Sequence, residues 1–86
     1  MRSIKVTATG LVYTGQIFVE GVSLVPAAVD ATITLNDSLD GSGDDQGGAK
    51  TEAEYSKNSP MYGEIFSTGI YATLTGVGAV AYIYYK

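Results

Sequence analysis

Apolar and polar residues alternate with a period of two along most of this chain, the pattern of strands that bury one face. Ile4, Val6 and Ala8 alternate with Lys5, Thr7 and Thr9, and Gly10 and Gly15 then bracket the apolar run Leu11-Val12-Tyr13. A longer strand is predicted from Gln16 to Leu24, with Phe18, Glu20, Val22 and Leu24 on one face and Ile17 and Val19 on the other. Gly21 inside it points to a bulge or a sheet corner. Pro26, which has no N–H to give a ladder, ends it. Ala31, Ile33 and Leu35 alternate with Thr32, Thr34 and Asn36 in the cleanest strand pattern of the chain. A helical period is sustained nowhere.

The middle of the chain breaks the alternation. Residues 37–48 are almost entirely Asp, Ser and Gly, and Asp40-Gly41 supplies the positive φ that tight turns require. The expectation is a flexible, acidic, Gly-rich loop at 37–50, with a strand resuming over Thr51 to Lys57 and another turn at Asn58-Ser59-Pro60. Tyr62, Glu64 and Phe66 then oppose Gly63 and Ile65, and Ile70, Ala72 and Leu74 oppose Tyr71, Thr73 and Thr75. Gly76-Val77-Gly78 reads as a hairpin leading into a return strand from Ala79 to Tyr85.

That last strand is apolar or aromatic on both faces, with Val80, Tyr82 and Tyr84 on one side and Ala81, Ile83 and Tyr85 on the other. A strand with one solvated face would alternate apolar with polar. This one needs cover twice, either between the core and another layer or against another chain. Tyr82, Ile83, Tyr84 and Tyr85 are therefore the candidate interface residues. The fold class expected is all-β: a small antiparallel β-sandwich or jelly-roll-like barrel of about seven to eight short strands, a single domain over residues 1–86.

Composition narrows the chemistry. With no cysteine, no disulfide staples a domain this small, and with no histidine the usual soft and imidazole metal ligands are missing. Oligomerisation is the stabiliser left open. A serine nucleophile would lack its usual base, and the carboxylates Asp40, Asp44, Asp45, Glu52, Glu54 and Glu64 sit mostly in the loop or on strand margins. No enzyme activity and no cofactor are expected. Asn36, Ser38, Asp40, Gly41 and Asp44 imitate the start of an EF-hand loop, but Gly47 stands where the bidentate glutamate belongs. Five cations against nine acids give no basic face for nucleic acid. No membrane association is expected either, since no apolar run approaches the roughly 18–20 residues of a spanning helix. The start Met1-Arg2-Ser3-Ile4-Lys5 lacks the apolar segment of a signal peptide, so synthesis in a cytoplasm is expected. Tyrosine occurs seven times and tryptophan never. Tyrosine suits boundaries that are apolar on one side and wet on the other.

Lys5-Val-Thr-Ala-Thr-Gly-Leu-Val-Tyr-Thr-Gly, Phe18-Val-Glu-Gly-Val-Ser, Ala31-Thr-Ile-Thr-Leu, Asp40-Gly-Ser-Gly, Gly69-Ile-Tyr-Ala-Thr-Leu-Thr-Gly-Val-Gly-Ala and the terminal Tyr-Ile-Tyr-Tyr share a style of threonine-rich strands and glycine turns. In that style the chain resembles small all-β virion proteins of tailed bacteriophages, those that decorate or cement a capsid. The resemblance implies a homo-oligomer, often a trimer, on the exterior of a virion, bridging subunits of the major capsid protein. It assigns no functional residue. Two other readings stay open: a tail, fibre or baseplate component, and a carbohydrate-binding β-sandwich module with tyrosine platforms.

Overall fold

The computed structural model describes residues 2–43, 45–52 and 54–86. Met1, Asp44 and Ala53 lie outside the described residues, and with them the N-terminal residue of the expected leaderless start, one weighed carboxylate and calcium ligand, and part of the strand expected at 51–57. The described residues form eight strands: β1 (Arg2–Val6), β2 (Gly10–Thr14), β3 (Ile17–Val25), β4 (Ala31–Asn36), β5 (Asp45–Thr51), β6 (Lys57–Phe66), β7 (Gly69–Thr75) and β8 (Val80–Tyr85). They make two four-stranded antiparallel sheets, β1-β8-β3-β6 (sheet A) and β2-β7-β4-β5 (sheet B).

β1 pairs β8, β2 pairs β7, β3 pairs β6 and β4 pairs β5, alternately in one sheet and the other. A long hairpin rolled over itself gives this order, which is the jelly-roll winding. The all-β sandwich expected from the alternation is what the chain adopts.

The two inner faces interdigitate as a sandwich core. Sheet A contributes Val6, Ile17, Val19, Val22, Leu24, Phe66, Ala81 and Ile83, and sheet B contributes Ala31, Ile33, Leu35, Ile70 and Ala72, all buried. Each fully buried branched or aromatic side chain among them is worth about 1.5–3 kcal/mol over leaving it in water.

β3 departs from strict alternation. Its register to both β6 and β8 shifts between Val19 and Gly21, which is the bulge that Gly21 foreshadowed. The extra residue changes the phase of the strand, so Ile17 and Val19 before it and Val22 and Leu24 after it all point inward. Phe18, expected to share a face with Val22 and Leu24, points outward instead.

Four expectations are corrected here. The strand expected over Thr51 to Lys57 is instead the connection from β5 to β6, where the Tyr55 N–H donates to the Glu52 carbonyl at 3.1 Å. The flexible loop of 37–50 is shorter, because β5 occupies Asp45–Thr51 and pairs with β4 over its whole length. Gly48 lies so close to the Ile33 carbonyl that a Cβ there would collide with it, so glycine suits this strand where composition argued for a loop. The turn expected at Asn58-Ser59-Pro60 is part of β6, an edge strand, the kind of strand that tolerates proline. The expected hairpin at Gly76-Val77-Gly78 turns the chain through the Ala79 N–H to Gly76 carbonyl bond, 3.1 Å long. It joins β7 in sheet B to β8 in sheet A, so those two strands are not partners.

Candidate interaction surface

β8 is an inner strand of sheet A, bonded to β1 on one side and β3 on the other. Its two apolar faces therefore have different employments. Ile83 is wholly buried in the sandwich. Tyr85 lies on the same inward side, packed against the core, with its ring 6.3 Å from that of Tyr13 at 45°. Tyr82 and Tyr84 lie on the outer side and are half-buried. Of the four residues singled out from the sequence, two serve the core and two remain at the surface.

The outer face of sheet A can be read from the register. Tyr82 stands between Lys5 of β1 and Ser23 of β3, and Tyr84 between Ser3 and Gly21. Such direct cross-strand neighbours are in side-chain contact range. The Ser23 hydroxyl donates to the Asn58 Oδ1 at 2.5 Å and lies 3.2 Å from the Tyr84 hydroxyl, which ties β8, β3 and β6 together on this face. Gly21 has no side chain, and a shallow groove of about 260 Å³ opens there between Tyr84 and Pro60. Next along the same face, Phe18 and Ile65 pair across β3 and β6, 41% and 49% exposed. Val25, at the far end of β3, is 39% exposed. Phe18 was missed as a surface candidate because the bulge at Gly21 hides the true phase of β3.

Sheet B presents a different outer face. Thr32 and Thr34 on β4 face Thr75 and Thr73 on β7, and the Thr32 and Thr75 hydroxyls are 2.6 Å apart. A trough of about 620 Å³ runs along β4 and β5, lined by Thr32, Thr34, Asp45, Gln46, Gly47 and Lys50 among others.

The loop between β4 and β5 is held by its own polar side chains. The Asn36 amide donates to the Gly43 carbonyl and to the Asp45 Oδ1 (3.0 Å), and its oxygen accepts from the Gly43 N–H (3.1 Å) and the Ser38 hydroxyl. The Asp40 carboxylate accepts the Ser42 N–H (3.0 Å), and bonds from Ser42 hold its carboxyl below the ordinary aspartate value.

Asp37 reaches across to the β6–β7 turn, where its carboxylate accepts the N–H groups of Thr68 (2.8 Å), Ser67 (3.0 Å) and Gly69 (3.3 Å). The Thr68 bond does most to hold this carboxyl below its ordinary 3.8, helped by the other two and opposed by partial desolvation. A carboxyl lowered in the folded state adds stability above its unfolded pKa and loses it as pH falls through the folded value. Asp37→Ala should therefore cost about 1–2 kcal/mol at neutral pH, since water reaches the released N–H groups. The difference from the parent chain should shrink as pH falls below 3.8 and through the lowered folded value. Urea unfolding at neutral and acid pH checks this, and a cost undiminished in acid would refute the ionic clip.

Comparison of the chain with models of protein families, with curated proteins and with solved structures returned no match.

Proposed function

We propose that this protein is a structural component of a virion, a cement or decoration protein that docks on the head of a tailed bacteriophage and bridges subunits of its major capsid protein. The observation that carries the reading is the outer face of sheet A. Tyr82, Tyr84, Phe18, Ile65 and Val25 give it an apolar and aromatic character that a solvated sheet face does not need. The sandwich measures 34 × 25 × 17 Å, so its broad side fits within a rectangle of about 850 Å². That is close to the roughly 800 Å² a partner contributes to a stable interface. A jelly roll is also used by viral shells, lectins and metal-binding barrels, so the winding alone selects no function. The resemblance to phage decoration proteins supports the first of these. Many copies docked on one lattice would raise the barrier to its opening by avidity, without any single strong contact.

The test is electron microscopy of purified particles together with a docking-face variant. Phe18→Ser with Ile65→Ser removes two exposed apolar side chains and should leave the fold intact. Occupancy on particles is expected to fall at least about tenfold, as loss of apolar anchors does at interfaces. Parent protein absent from particles sinks the proposal, and full occupancy by the variant removes this face from it. Labelling on the tail instead of the head would favour a tail, fibre or baseplate component.

A second reading, a carbohydrate-binding module, is supported by the trough along β4 and β5, where Thr32, Thr34, Gln46, Asp45 and Lys50 stand beside the apolar Ile33 and Ala49. A glycan array with no bound sugar would eliminate it.

A further inference from the structure

Asp40-Gly41 is the only Asp-Gly pair in the chain, and there is no Asn-Gly pair. A glycine after aspartate leaves the peptide nitrogen unshielded by a Cβ, so that nitrogen can attack the aspartate side chain. A bond forms from the Gly41 nitrogen to the Asp40 Cγ, and the amide proton leaves with the carboxyl hydroxyl as water. The succinimide ring that results takes water back at either carbonyl. Opening at the main-chain carbonyl leaves isoaspartate, in which the Asp40 Cβ has become a backbone atom. The chain and water are the only reactants, and the mass is unchanged.

Both residues are exposed, so solvent reaches them freely. The hydrogen bonds of the β4–β5 loop nevertheless hold both ends of the bond that would form. The Gly41 N–H donates to the Ser38 Oγ at 2.8 Å. That hydroxyl is buried and itself donates to the Asn36 oxygen, so the peptide plane at Gly41 is fixed from the end of β4. On the other side, the Asp40 Oδ1 accepts the Ser42 N–H at 3.0 Å. Gly41 has a φ of +84° and lies so near the Tyr71 ring that a Cβ would stand 3.0 Å from it. The pair is tethered at the nitrogen, at the carboxylate and at the glycine Cα.

We propose that Asp40-Gly41 is an isomerisation site of this protein, held closed by the Ser38 hydroxyl while the β4–β5 loop keeps its bonds. Opening of the loop frees the nitrogen and lets the succinimide form. The Ser42 bonds add a second restraint. They hold the Asp40 carboxyl below its ordinary value, and an ionised carboxylate has no hydroxyl to lose as water. Once isoaspartate is made, the extra backbone atom changes the spacing between Ser38 and Gly41, so the loop cannot close on the same bonds. The modification outlasts the opening that allowed it. It needs no partner and is independent of the virion reading.

Incubation of the purified chain in neutral buffer over weeks tests this, with isoaspartate located by fragmentation of the tryptic peptide of residues 6–50. The parent unfolded in guanidinium chloride should isomerise at least about tenfold faster than the folded parent, because its loop is always open. Ser38→Ala, shown to be folded by circular dichroism, should exceed the folded parent at least about fivefold, the shift in loop opening that one lost hydrogen bond commands. Asp40→Glu would have to close a larger ring and is the blank. If Ser38→Ala does not fold, Ser42→Ala takes its place with the same expectation, since it removes the hydroxyl bond to the Asp40 carboxylate. Equal rates in the folded and unfolded parent would overturn the proposal. So would a folded variant no faster than the parent, or isoaspartate that forms elsewhere than at Asp40.

Discussion

Ile83→Ala is expected to lower the unfolding free energy by about 2–5 kcal/mol, the range for truncating a fully buried aliphatic side chain that leaves a cavity. Ile83 is wholly buried on an inner strand, with Ile4 and Val22 as its neighbours on either side. Both flanking strands are held by backbone hydrogen bonds, so the surroundings have little freedom to collapse into the space left. A domain of this size has about 5–15 kcal/mol in all, so the variant should sit close to its unfolding threshold. Urea titration gives the number. Tyr82→Ser, on the outer face of the same strand, is the control and should cost much less. A midpoint unchanged by Ile83→Ala would mean that the side chain faces outward and that the phase of β8 is reversed.

Asn36→Ala should cost about 1–3 kcal/mol, although it removes only a small polar side chain. Asn36 is 5% exposed and satisfies Gly43 through both its N–H and its carbonyl, as well as Ser38 and Asp45. Alanine leaves the buried Ser38 hydroxyl without its acceptor, a loss of about 1–3 kcal/mol when uncompensated, whereas water reaches the exposed Gly43 and Asp45. The loop should loosen as well, so amide hydrogen exchange over residues 37–45 should accelerate more than elsewhere. Uniform exchange with an unchanged midpoint would show that Asn36 does not organise the loop. Asn36→Asp is a sharper companion, because it keeps the oxygen that accepts from Gly43 and Ser38 and loses the donor to the Gly43 carbonyl.

Strands with a clean period of two were legible, as β4 shows most simply: Ala31, Ile33 and Leu35 are all buried, as their alternation requires. β3 was legible in extent but not in phase, since one inserted residue reverses every side chain after it. β5 was obscured because Gln46-Gly47-Gly48 has turn composition, and only the close approach of the Ile33 carbonyl explains the second glycine there. The order of the loop at 37–43 was half legible. Asn36, Asp37 and Ser38 are residues that bond to nearby backbone, but Asp37 bonds to residues 67–69, a distance no local pattern reveals. For the surface, the two-sided pattern of β8 marked Tyr82 to Tyr85 as candidates without separating the buried face from the outer one. It could not say that the inward cover for Ile83 and Tyr85 is the chain's own second sheet.

The rolled hairpin has a kinetic consequence. Only β4 and β5 are consecutive partners, and the pairs β3–β6, β2–β7 and β1–β8 enclose successively longer stretches of chain. Closing a longer stretch costs more entropy, so the innermost pair is the natural nucleus and the outermost the last to zip. Refolding should take milliseconds to seconds, as for other topologies rich in distant pairings. Asn36→Ala, beside the nucleus, should slow refolding, while Ile83→Ala should chiefly hasten unfolding. During synthesis β8 is made after every strand it joins, and until then β1 and β3 have no neighbour between them to hold the first sheet closed.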